Sequence, residues 1–196
     1  MNNIRTRTIT IFAALAVLMA ATRFNHFGSA VSLSDASYAV FFLGGLYLAR
    51  SARSSAIFFF ALILEAGLID FYATSVQGIS DWCMTTAYWF LIPTYASLWL
   101  VGGWFARRLG MKGLEGRDLF GLALAAWTAS SFAFFFSNAT FYLFSGRFAD
   151  MSAAEYASRV AQYYSSYVSF ALLYVACAVA IHMAIEIINK QRALLH

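Results

Sequence analysis

Proline is almost missing from this chain: Pro93 is the single one in 196 residues, so almost nothing in it breaks a long helix. Charge is scarce too, with 11% charged against 62% hydrophobic residues, too little to cover the surface of a soluble domain. Lipid is the solvent such a composition asks for. The two cysteines, Cys83 and Cys177, form no CxxC and lie in distant parts of the chain, which speaks against a disulfide framework. A bridge needs Cα atoms within about 7 Å, whereas Cys177 lies some 25 Å along the last apolar stretch at about 1.5 Å per helical residue. A quinone-coupled thiol oxidase is therefore disfavoured. The three histidines show no HxxxH or HxxE spacing that would build a metal site from protein ligands alone. Internal repeats, low-complexity segments and a separate soluble domain are all lacking. A net charge of +4 does not point to nucleic acid, because Lys and Arg in a membrane chain follow topology. No nucleic-acid partner is expected.

What the chain does contain is six apolar stretches, 8–22, 31–49, 55–73, 84–106, 119–144 and 160–188. Most reach the roughly 20 residues that cross a hydrocarbon core about 30 Å thick, and tilt accommodates the longest. The expected architecture is an all-α integral membrane protein, a bundle of six transmembrane helices in one domain over 1–196. The first stretch follows Arg5 and Arg7 as a signal peptide would, but five more hydrophobic segments come after it, and it is read as a retained helix. If the helices alternate, Arg5, Arg7, Arg50, Arg53, Arg107, Arg108, Lys112, Arg117, Lys190 and Arg192 share one side and only Arg23, Arg147 and Arg159 the other. The basic side is the cytoplasm, and both termini are placed there. Its loops suit anionic lipid headgroups or a cytoplasmic partner.

The polar chemistry gathers at the outer ends. Cys83, beside Asp81 and Trp82, could offer a thiolate to a soft metal, and a position at the start of the fourth helix would favour that charge; a small inert thiol is the plain alternative. His26 stands in a polar loop, suited to a metal or ligand but equally to water. Asp70 lies near the outer end of the third helix and can reach a ligand. Glu65 is deeper, where a protonated side chain bonded to Ser, Tyr or Trp competes with a proton-coupled carrier. His182 is expected to be satisfied by a neighbouring helix, and Cys177 to pack. Ala16 and Ala20 form a small-xxx-small pair, for internal packing or for docking on another membrane subunit.

The run Arg23-Phe24-Asn25-His26-Phe27-Gly28, the segment from Leu33-Ser34-Asp35-Ala36-Ser37-Tyr38 to Gly44-Gly45, and Asp81-Trp82-Cys83-Met84-Thr85-Thr86-Ala87-Tyr88-Trp89-Phe90-Leu91-Ile92-Pro93 together resemble the BtuM family of small cobalamin transporters. The resemblance covers nearly the whole chain in size, helix number and motif order. It implies a fold similar to the S components of energy-coupling factor (ECF) transporters, six-helix proteins of the bacterial inner membrane that hold a vitamin near their outer face. It also implies cobalamin as bound substrate, with no other cofactor, and Cys83 as axial ligand to its cobalt. Thiolate donation would weaken the opposite axial bond and open a route to decyanation of cyanocobalamin. Ala16 and Ala20 match the helix-1 surface that meets an ECF coupling subunit and its ATPases.

A corrinoid needs aromatic walls and a few polar anchors. Topology offers Tyr72, Trp82, Tyr88, Asp35, Asp70 and Arg159, with Asp35, Asp70 and Tyr88 for its amides and Arg159 for its phosphate or for Glu155. The rival readings are an S component for another vitamin, a membrane enzyme that modifies corrinoids through Cys83, and a purely structural subunit.

Overall fold

The computed structural model describes residues 2–23, 34–49, 51–110 and 114–194; they are helical, with no strand among them. Six α-helices follow in order: α1 Asn2–Arg23, α2 Ser37–Leu48, α3 Ala52–Ser75, α4 Leu91–Leu109, α5 Leu119–Phe144 and α6 Ala153–Leu194. Short 3-10 turns at Thr86–Phe90 and Gly116–Asp118 precede α4 and α5. Among the described residues four segments, Arg5–Arg23, Ala52–Ser75, Gly116–Phe144 and Ala153–Leu194, are long and apolar enough to cross a bilayer. The protein is an α-helical membrane protein. Phe60, Leu64, Leu68 and Phe71 stand exposed down one face of α3, as lipid-facing side chains do.

The boundaries differ from the hydropathy pattern where polar chemistry intervenes. The second apolar stretch is expected over 31–49, of which 31–33 lie outside the described residues, yet α2 begins only at Ser37. The Ala36 N–H is drawn across to Thr22 Oγ1 of α1 at 3.1 Å, and the Ser37 N–H to Asp35 Oδ1 at 2.9 Å, so the chain turns before it coils. The resulting 12 residues rise about 18 Å, less than a hydrocarbon core. The fourth stretch was expected from 84, yet α4 starts at Leu91. Pro93 is the cause: it has no N–H and its ring crowds the carbonyl four residues back, so it belongs in a first turn and not seven residues beyond one. α6 runs beyond its apolar run at both ends, helped at its start by the Arg159–Glu155 pair one helical turn apart.

α2 is the axis of the bundle. Ten of its twelve residues are buried, and it touches all five other helices, which is why it reads as apolar on every side. Against α4 the approach is backbone to backbone: a Cβ on Gly45 would overlap the Trp99 carbonyl oxygen, and one on Gly102 the Phe42 carbonyl oxygen. Trp99 itself donates from Nε1 to Ser55 Oγ of α3 at 2.8 Å, tying a third helix to the seam. At the other end of the same helices, where α1 and α3 finish and α2 and α4 start, the helices part around a cavity.

Candidate functional site

The cavity encloses about 760 Å³. Arg23 at the end of α1 forms part of its wall and is only 5% exposed. A buried guanidinium needs its charge and its N–H groups answered, and here they are. Arg23 Nε donates to Asp70 Oδ1 at 2.7 Å and Nη2 to Oδ2 at 2.6 Å, a two-pronged bond between the ends of α1 and α3. Nη1 donates to Ser37 Oγ at 2.8 Å and to the Tyr95 hydroxyl at 2.9 Å, which brings in α2 and α4. Tyr88 donates its hydroxyl to Asp70 Oδ2 at 2.8 Å, and Ser37 donates to Asp35 Oδ1 at 2.6 Å. Four helices are thus joined by one polar network.

Cys83 is half-buried in the connection between α3 and α4 and lines the cavity beside Trp82 and Met84. It does not begin a helix. A tight turn closes around it, with the Met84 N–H on the Asp81 carbonyl at 2.8 Å and the Thr85 N–H on the Cys83 carbonyl at 2.9 Å. Thr85, not Cys83, caps the 3-10 turn that follows, so no helix dipole acts on the sulfur. Burial pushes the thiol above its ordinary range, the Asp70 carboxylate adds to that, and Arg147 offsets part of it. A proton therefore stays on sulfur at neutral pH unless something displaces it. Arg147, from the α5–α6 connection, lies over the Trp82 indole at 4.5 Å and ties that connection to the one carrying Cys83.

Among the residues expected at a site, Asp35, Asp70, Trp82, Cys83, Tyr88 and Arg159 all line this one cavity. Asp70 is placed there, but three hydrogen bonds from Arg23 and Tyr88 already occupy its oxygens, so it organises the wall and has little left for a ligand. Arg159 pairs with Glu155 at 2.8 Å in an exposed contact. Tyr72 does not line the cavity. Two residues past Asp70 is about 200° around a helix, and Tyr72 is 46% exposed on the far flank of α3. His26 lies outside the described residues.

Away from the cavity, Ala16 and Ala20 are both half-buried, and Ala16 packs on the core. Cys177, expected to pack, is instead exposed on α6. Glu65 is half-buried but has no hydrogen-bond partner among the described residues, so the expected bond to Ser, Tyr or Trp is not made. His182 meets Tyr47 of α2, ring centroids 5.5 Å apart.

Several lining residues had not been singled out: Tyr38, Tyr95, Asn138, Tyr156, Tyr163 and Tyr167. A signal for some of them exists in the spacing. Tyr156, Tyr163 and Tyr167 are separated by seven and four residues, so they share a face of α6. No cluster of three or more His, Cys, Asp or Glu that could hold a metal ion exists among the described residues. No family model matches the chain, and no curated protein matches it.

Proposed function

We propose that the protein binds cobalamin in this cavity and serves its uptake across a bacterial inner membrane, as an S-component-like bundle with six spans, both termini cytoplasmic and the cavity facing outward. The reading is carried by one observation: a half-buried thiol, Cys83, stands in the wall of a roomy, tyrosine- and phenylalanine-rich cavity, with no cluster of three or more metal-binding side chains beside it among the described residues. A corrinoid brings cobalt with all ring ligands in place and an axial position open to exchange. The distribution of Lys and Arg supports the orientation, and the resemblance to the BtuM family supports the ligand.

In this reading Cys83 gives up its thiol proton as sulfur bonds to cobalt in place of the cobalamin's own nucleotide base, whose bond to cobalt breaks. Donation from sulfur weakens the bond on the opposite axial face. When cyanide occupies that face, it departs with its electron pair and takes up a proton; cobalt keeps its oxidation state. Trp82, Tyr88 and the tyrosines of α6 form the walls against the corrin, while Ala16 and Ala20 remain the surface offered to an ECF coupling subunit.

The experiment is purification in detergent after incubation with cyanocobalamin, followed by an absorption spectrum. Co-purifying colour with a spectrum shifted from free cyanocobalamin, and loss of that shift in Cys83→Ser, is the expected result. A colourless protein would overturn the reading. The volume favours a second one: about 760 Å³ lies within the range of roughly 300–1,000 Å³ typical of sites for drug-sized molecules, which suits a smaller vitamin. On the cobalamin reading, part of the ligand stays at the mouth. Parallel binding of biotin and riboflavin separates the two.

A further inference from the structure

The floor of the cavity holds hydrogen-bonding capacity that the protein itself leaves unused. Tyr95 is 4% exposed; its hydroxyl accepts from Arg23 Nη1 at 2.9 Å, and its own proton meets no acceptor among the described residues. The ring is stacked on Phe41, centroids 4.2 Å apart and 6° from parallel, so that hydroxyl cannot swing away to find one. Asn138 donates from Nδ2 to the Phe134 carbonyl at 2.8 Å. Because a carbonyl only accepts, this fixes which end of the amide is which and leaves Asn138 Oδ1 without a donor among the described residues. Ser137 sends its one proton to the same carbonyl at 3.1 Å, so Tyr38 must be the donor in its 3.2 Å contact with Ser137 Oγ. The lone pairs of the Tyr38 hydroxyl then stay open.

These groups are neighbours. Tyr38 and Tyr95 meet edge to face at 6.5 Å, Tyr38 reaches the residue adjoining Asn138, and all three line the cavity. The floor thus presents a donor beside two acceptors. The guanidinium beside them, Arg23, is already neutralised by its two bonds to Asp70, Asp35 adds a further carboxylate to the same wall, and Arg159, the cavity's other guanidinium, is paired with Glu155, so the floor offers no unpaired positive charge among the described residues.

We infer that Tyr95, Asn138 and Tyr38 form a carboxamide subsite: the Tyr95 hydroxyl donates to an amide carbonyl, while Asn138 Oδ1 and the Tyr38 oxygen accept from the amide NH₂. Such a subsite takes an uncharged primary-amide arm and rejects the corresponding acid, whose second oxygen would face two acceptors with no proton between them. Corrinoids carry amides of this kind on their rim, and the assignment rests on the reading of the cavity as a corrinoid site.

The test is a binding cycle in detergent at neutral pH, with wild type and Tyr95→Phe titrated against cyanocobalamin and against its isomeric monocarboxylic acids. Wild type binds at least one acid about tenfold more weakly than the parent, and Tyr95→Phe binds the parent about tenfold more weakly, the worth of one buried hydrogen bond. For that acid the two losses combine to less than their product, which a merely structural role for Tyr95 would not produce. Asn138→Leu, lacking the acceptor, repeats the loss and serves if Tyr95→Phe melts early. The inference is overturned, with cobalamin binding intact, if the folded variants bind the parent as wild type does or if the losses multiply for every acid. If wild type takes up no cobalamin, the corrinoid reading fails and the subsite goes with it.

Discussion

Along one pair of helices, α2 and α4, the molecule changes character within a few turns. Around Gly45, Trp99 and Gly102 the two backbones touch, and a single methyl group would not fit between them. Toward Ser37, Tyr38 and Tyr95, near the start of both helices, the same pair spreads around a cavity floored by a buried ion pair. The first region is held by packing, which is cheap to make from small residues and intolerant of any added volume. The second is held by hydrogen bonds to charged groups, which keep a space open because each partner must stay at bonding distance. Rigidity is common to both ends; only one leaves room for a guest.

Four substitutions sharpen or break that comparison, from the largest expected effect to the smallest. Asp70→Ala strands Arg23 in its buried setting and is expected to cost about 3–5 kcal/mol, read as a large fall in detergent melting temperature; pairing Asp70→Leu with Arg23→Met should recover much of it. A small effect of Asp70→Ala would mean that the network does not hold the cavity end together. Gly102→Ala, at the closed end, is expected to cost about 1–3 kcal/mol as the helices are forced apart. Arg159→Gln removes an exposed contact with Glu155, and a stability change above roughly 1 kcal/mol would show that this pair does more than its setting allows. Cys83→Ser should leave melting within about 0.5 kcal/mol, since the half-buried thiol supports no packing that a hydroxyl upsets. The same change should nevertheless remove the shifted spectrum of bound cyanocobalamin.

The helices were legible because apolar runs in a charge-poor chain have few other fates, and so was the clustering of Asp35, Asp70, Trp82, Cys83, Tyr88 and Arg159, since alternation of helices sends their ends to one side. Helical phase was harder to read. Topology sends Tyr72 and Asp70 to the same end of α3, yet a separation of two residues turns the Tyr72 side chain to the opposite flank. Cys177 was assigned to packing by its depth in an apolar run, but depth does not say which face of α6 meets a neighbour. Glu65 shows the same limit, since a polar group in an apolar helix announces a cost without naming what offsets it.

Composition and the spacing of charges by themselves determined that this chain is a helical membrane protein and which helix ends carry its polar chemistry, because both follow from the transfer of side chains between water and lipid, residue by residue. Only the tertiary structure decided that Arg23 meets Asp70 across 47 positions of chain, that α2 is a short central axis, and that Tyr95 and Asn138 line one cavity. Those facts depend on which faces of which helices touch, and contact between distant segments leaves no local mark in the sequence of either.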